Sequence, residues 1–300
     1  MMKSLIVNIL IFLASSIYAG DALLLTDLGS SARMIALGNV EGFSHSSSAI
    51  FENPASLYPI SQYSLSAFAT QLMQEVSYRN IAFGTSTGLG NVAVGFMSAD
   101  VSDIYRTTKP ADRIIAGDTF RFENYMVKLA YQKSIWEDLS LGTALNYYSN
   151  TLGDVKGTGV NMDVGAFVTP GPFQVSLVAR NVLRNLKANY SNGGSETYPL
   201  QTILAGGYNW GDLDILAQIK KTSSQPESIK AAGIHYHPGF VPFIHFYGGV
   251  KDYLANETIK TTVSLGVGLN VFGLAFDYGY EKSDHVAFDN NSYVSVSLTQ

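Results

Sequence analysis

The sequence predicts an all-β chain: a transmembrane antiparallel β-barrel of about fourteen strands behind an N-terminal plug segment. Three observations predict it. Runs of about 8–12 residues with period-two alternation recur from residue 62 to the C-terminus, which excludes a helical reading. Short and longer, more polar connections alternate between those runs, as in barrels with short periplasmic turns and longer outside loops. Beyond residue 20 no stretch reaches the ~20 apolar residues of a spanning helix, so a membrane role has to use strands.

Residues 1–19, MMKSLIVNILIFLASSIYA, read as a cleaved secretory signal peptide. Lys3 supplies the positive start, residues 5–13 the apolar core, and Ile17 and Ala19 an acceptable, though not ideal, cleavage pair before Gly20. A membrane anchor is the alternative, but the apolar run is short for one. Residues 20–60 do not alternate and form the plug segment. Ser30 or Ser31 is placed to cap a short helix over 32–37, ended by Gly38. Asn53-Pro54 opens a turn. An irregular, moderately apolar stretch ahead of a barrel this wide is expected to fill its lumen, with a periplasmic lid or loose arm as the alternative.

The barrel itself occupies residues 61–300. Strands are expected at 62–70, 78–87, 90–98, 121–133, 138–149, 158–169, 173–181, 200–209, 212–220, 229–237, 242–250, 260–270, 273–281 and 292–299. In one of them Val263, Leu265, Val267 and Leu269 alternate with Ser264, Gly266, Gly268 and Asn270. The apolar face needs a cover. A soluble sandwich would supply a second layer, yet no amphipathic helix of that size is visible. Turning the apolar face to lipid satisfies every backbone group and leaves no edge. Asn161, Asp163 and Asp277 then face a polar lumen, and Trp136, Tyr147, Tyr148, Trp210 and Tyr280 suit interfacial girdles. Long loops are expected near 71–77, 99–120, 150–157, 182–199, 221–228, 251–259 and 282–291.

Composition agrees with this class. Only 14% of the 300 residues are charged, against about 25% in a typical soluble domain. The net charge of -5 is spread along the chain, so no basic patch points to nucleic acid. With no cysteine, disulfides and zinc-thiolate sites are excluded.

The block Gly29-x-x-Ala32-Arg33-x-x-Ala36-Leu37-Gly38, followed by Ser48-Ala49-Ile50 and Asn53-Pro54-Ala55-x-Leu57, resembles the N-terminal signature of the PorV/PorQ outer-membrane proteins. These are similar to the FadL fatty-acid transporters, whose barrels have fourteen strands. Weaker likeness continues through Asp163-Val164-Gly165 and Phe276-Asp277-Tyr278-Gly279-Tyr280. The chain departs from the pattern at Ser44-His45-Ser46-Ser47, where the family often has an acidic pair, and at Gln300, where many barrels end on an aromatic. The resemblance implies a bacterial outer-membrane location. It also implies a non-enzymatic scaffold or shuttle that hands the C-terminal domains of secreted cargo to a type IX-like secretion system. FadL-like uptake of a hydrophobic small molecule is the alternative, and a structural surface protein the third.

Arg33 is a single cation in the plug segment, placed to neutralise Asp163 or Asp277 or to hold a ligand carboxylate. Asn53, Pro54 and Ala55 fix a turn. His235, His237 and His245 are weak metal candidates, because HYHPGFVPFIH offers no acidic fourth ligand nearby. No metal or cofactor is expected. Without a Gly-x-Ser-x-Gly elbow, phosphate loop or thiol, no catalytic constellation emerges.

Overall fold

The computed structural model describes residues 25–72, 75–108, 115–255, 258–282 and 291–300; the expected signal at 1–19 lies outside them. Strand formation follows the alternation. The first half of the wall is β1 (Tyr63–Leu72), β2 (Val76–Thr87), β3 (Gly90–Thr108), β4 (Ile115–Trp136), β5 (Leu139–Leu152), β6 (Val155–Val168) and β7 (Phe173–Arg180). A small hairpin, β8 (Lys187–Tyr190) and β9 (Ser195–Thr197), comes next. The second half is β10 (Gln201–Trp210), β11 (Leu213–Thr222), β12 (Ser228–Tyr236), β13 (Ile244–Ala255), β14 (Thr258–Val271), β15 (Leu274–Lys282) and β16 (Asn291–Thr299).

Each wall strand pairs antiparallel with its neighbours in sequence, β7 joins β10, and β1 joins β16 from Ser64↔Thr299 to Ala69↔Val294. Setting aside β8 and β9, fourteen strands close one ring. The hairpin is not a stave of that ring: it attaches to β6 through Gly157↔Tyr190 and Thr158↔Asn189, and its Ala188 packs in the interior cluster. All fourteen expected strands are present, and closure leaves no unpaired edge.

Several expected long loops are instead strand. β3 and β4 continue as a paired ribbon to Thr108↔Ile115, with register shifts between Val101 and Ile104 and between Tyr105 and Thr107. Residues 150–152 and 155–157 likewise belong to β5 and β6. Beyond the bilayer both faces of a strand are wet, so the apolar alternation disappears while the hydrogen-bond ladder continues. The connection at 181–200 remains long, but it carries the unpredicted hairpin.

The outer face is a continuous apolar band. Leu65, Phe83, Leu129, Leu145, Val164 and Leu265 are all exposed. A band of this extent in water would be an association surface; around a closed barrel it is a lipid contact. Trp136, Trp210, Phe240 and Phe272, exposed by 70–96%, mark the short-turn end, where the C-terminal Gln300 pairs with Tyr63. Tyr148 does not join a girdle. It follows the outward Tyr147, so the pleat turns it inward, where it is 8% exposed and stacks on Tyr198 at 4.4 Å.

The inner face meets residues 25–60. These form a short helix, α1 (Ala32–Ala36), and single 3-10 turns at Leu25–Leu28, Ser47–Phe51 and Pro54–Leu57. Ser31 Oγ accepts from Met34 N–H at 3.1 Å and caps α1; Gly38, with φ of 72°, takes the left-handed position that ends it. Leu25, Ile35, Ile50, Phe51 and Leu57 are buried in one cluster with inward Phe68, Tyr78, Met97 and Met126. Leu37, Val40 and Phe43 pack with Phe167, Leu216 and Tyr247. The interior is therefore partly an apolar protein core, beside the polar positions expected at Asn161, Asp163 and Asp277. Period-two alternation reveals which residues share a face, but not whether that face meets water or another part of the chain.

Candidate functional site: the interior between segment and wall

The segment touches the wall on several sides through backbone and buried charge. On β13, a Cβ added at Gly249 would lie 2.1 Å from Gly38 N; on β5, one at Gly142 would lie 2.3 Å from Ala55 N. Only glycine permits such approach. Asn53 Oδ1 accepts from Ala55 N–H at 2.9 Å, while its Nδ2 donates to Ala166 O at 3.0 Å and Ser176 Oγ at 2.9 Å. Pro54 opens the following 3-10 turn. Thus Asn53, Pro54 and Ala55 fold a turn and also fasten it to β6 and β7. Around α1, Ser264 Oγ donates to Ala36 O at 3.2 Å, and Ala32 N–H donates to Ser295 Oγ at 3.1 Å. Gly29, with φ of 94°, presents its carbonyl to Tyr78 Oη at 2.7 Å.

A buried charge cluster joins the segment to the wall. Arg180, at the end of β7, pairs with Glu41 and donates to Phe51 O at 2.7 Å and Glu52 O at 2.9 Å. Lys220 Nζ lies 2.8 Å from Glu41 Oε1 and 3.0 Å from Asp27 Oδ1. Lys128 Nζ lies 2.7 Å from Asp163 Oδ2, and Asp163 Oδ1 accepts from Asn146 Nδ2 and Asn181 N–H. Three cations face three carboxylates, so the cluster is neutral. Asn161, also buried, accepts from Leu183 N–H at 3.0 Å.

Within the segment, the Glu52 carboxylate collects Ser30 Oγ at 2.7 Å, Gly42 N–H at 2.9 Å and Ser44 Oγ. Burial pushes its pKa up despite those donors. Asp27 differs. Burial opposes its charge, but Lys220 and the Gln201 amide outweigh that and hold it below the ordinary aspartate range.

Arg33 does not reach Asp163, which Lys128 already neutralises. Its Nη1 donates to Phe43 O at 2.6 Å, and its guanidinium lies 5.8 Å from the centre of the Tyr247 ring. Tyr247 Oη in turn donates to Asp277 Oδ1 at 2.9 Å. Arg33, His45, Tyr58, Asn270 and Asp277 line a cavity of about 420 Å³ at the short-turn end. His45 is open to that cavity; the surrounding protein and the Arg33 charge hold its imidazole below the usual range.

His235 and His245 line the same cavity, and the expectation that no carboxylate stands nearby is corrected here. Asp214 on β11 is the register partner of His235 on β12. Its Oδ2 lies 2.8 Å from His235 Nδ1 and 3.7 Å from His237 Nε2. Sequence distance hid this carboxylate, because it comes from the preceding strand rather than from the HYHPGFVPFIH stretch.

No protein-family model and no curated protein matches the chain. Solved structures do share its architecture. The toluene transporter TodX of Pseudomonas putida superimposes with a TM-score of 0.66 at 10% identity, over 91% of this chain and 99% of its own. A FadL homologue of Pseudomonas aeruginosa gives 0.60 at 11% identity, over 90% and 98%. The chain thus has the closed fourteen-stranded architecture of FadL-like outer-membrane barrels.

Proposed function

We propose that this protein is an outer-membrane channel for hydrophobic small molecules, delivered with a cleaved signal at 1–19, in which residues 20–60 act as a plug. The observation that carries the reading is a closed barrel whose interior holds its own N-terminal segment, with aromatic and aliphatic residues of segment and wall packed together. An open porin lumen for ions and sugars would be lined by water. Here Phe68 stacks on Tyr293 and meets Tyr78 edge-on in the interior. The similarity to a toluene transporter and to a FadL homologue supports the same reading. No catalytic step is part of it.

A second reading keeps the barrel and plug but makes the outer rim the active surface, binding secreted cargo in the manner of PorV/PorQ proteins. What favours it is the motif from Gly29 to Leu57, whose glycines and small residues form the contacts with the wall. Uptake separates the two. Purified protein in vesicles is expected to speed entry of naphthalene or oleate over protein-free vesicles. If neither probe enters faster, and the protein instead captures the C-terminal domain of a secreted protein from its own organism, the channel reading fails and the shuttle reading stands.

A further inference from the structure

We propose that Asp214, His235 and His237 form a binding site for a borderline divalent transition-metal ion such as Zn²⁺ at the short-turn mouth of the barrel. The site is independent of what the channel passes. Alternation and register build it: Asp214 and His235 face inward side by side on paired strands, and His237 follows two residues later on the same side. One ligand atom from each of the three lies within 4.8 Å of the others. Zinc bonds of about 2.0–2.1 Å set tetrahedral ligand separations of about 3.3 Å. The 2.8 Å and 3.7 Å distances from Asp214 Oδ2 to the two imidazoles bracket that value. His237 is the least constrained of the three, with a side chain 30% exposed, and supplies the remaining adjustment.

The surroundings have the form a metal site needs. Asn209 Nδ2 donates to the other oxygen of Asp214 at 2.6 Å and fixes the carboxylate. His235 Nε2 lies 2.9 Å from His245 Nδ1. Without an ion, His235 Nδ1–H donates to Asp214, so Nε2 accepts from His245 Nδ1–H. With an ion on Nδ1, the His235 proton sits on Nε2 and donates to His245 Nδ1, whose own proton moves to its Nε2. Both imidazoles stay neutral and no proton is gained or lost. His245 is thus a positioning residue that orients a ligand through its second nitrogen. Imidazole and carboxylate donors select zinc, nickel or copper over magnesium and calcium.

The test is titration of tag-free, chelator-stripped protein in detergent with Zn²⁺ against a chromogenic competitor. One equivalent per chain is expected, with no comparable binding of Mg²⁺. Asp214→Asn combined with His237→Gln abolishes the stoichiometric binding, and His245→Ala weakens it about 10–100-fold. X-ray absorption of the loaded protein shows nitrogen and oxygen neighbours at about 2.0–2.1 Å. Variants are read only in fractions that keep heat-modifiable migration. A wild-type protein that binds no equivalent overturns the proposal, as does undiminished binding by the folded double variant.

Discussion

Arg180→Met is expected to unseat the N-terminal segment without opening the wall. Among the described residues, Arg180 is the one wall residue that both pairs with Glu41 and donates to two segment carbonyls, Phe51 O and Glu52 O. Methionine keeps most of the apolar stem and removes the charge and the donors. Removing one partner of a buried ion pair costs about 3–5 kcal/mol. Lys220, 2.8 Å from Glu41 Oε1, keeps that carboxylate partly neutralised and places the cost at the lower end. At about 3 kcal/mol, with about 1.4 kcal/mol per tenfold, the ratio of seated to unseated segments falls roughly 150-fold. Single-channel recording in planar bilayers reads this directly. A deletion of residues 21–58 serves as the fully open reference, and wild type as the closed one. Arg180→Met should open in bursts toward the deletion level. Adding Glu41→Gln should recover part of the closure, because the orphaned carboxylate is then neutral. A variant as silent as wild type, with an unchanged circular dichroism spectrum and equal protease resistance of the segment, would refute this account of what holds the segment in place.

Gly249→Val should unseat the segment by a different route: its Cβ would lie 2.1 Å from Gly38 N and 2.4 Å from Leu37 C, so the backbone must retreat by over an ångström. Limited proteolysis should then cut within residues 25–60, which in the wild type should resist because the segment is buried. The pH response of the segment's seating should carry the signature of Glu52. Its pKa is raised in the seated state, so its stabilisation is complete below the ordinary glutamate range and is lost as pH rises through the raised value. Open probability should therefore climb over that window in wild type and stay flat in Glu52→Gln. On the outer face, Leu265, 60% exposed in the middle of the β14 band, tests lipid contact. Leu265→Arg should lower stability by about 2–4 kcal/mol in urea unfolding from lipid vesicles, as expected for a cation at the bilayer midplane.

The wall was legible in the sequence because a strand between lipid and interior must alternate, and β14 shows this from Thr261 to Leu269. What escaped was whatever breaks that rule. The β3–β4 ribbon lost its alternation on leaving the apolar band, so it read as loop. Lys128 and Arg180 occupy inward strand positions among apolar neighbours, a detectable signal, but their partners are fixed only by the three-dimensional closure. Lys220, the last residue of the strand expected at 212–220, is an interior charge two residues before β11 ends at Thr222, and its partner Glu41 is likewise fixed only by closure. In the segment, the cap at Ser31 and the turn at Asn53-Pro54 are local and readable. The glycines that receive them, Gly142 and Gly249, lie far along the chain.

The pairing of β1 with β16 has a consequence for biogenesis. Residues 25–60 lead directly into β1, and β1 finds its second neighbour only when the last strand of the chain is made. Sealing that seam with the leader outside would strand its apolar side chains and force a folded element through a finished cylinder. The order expected from this connectivity is that residues 25–60 dock while the cylinder is still an open sheet, and the closing zipper is drawn around them.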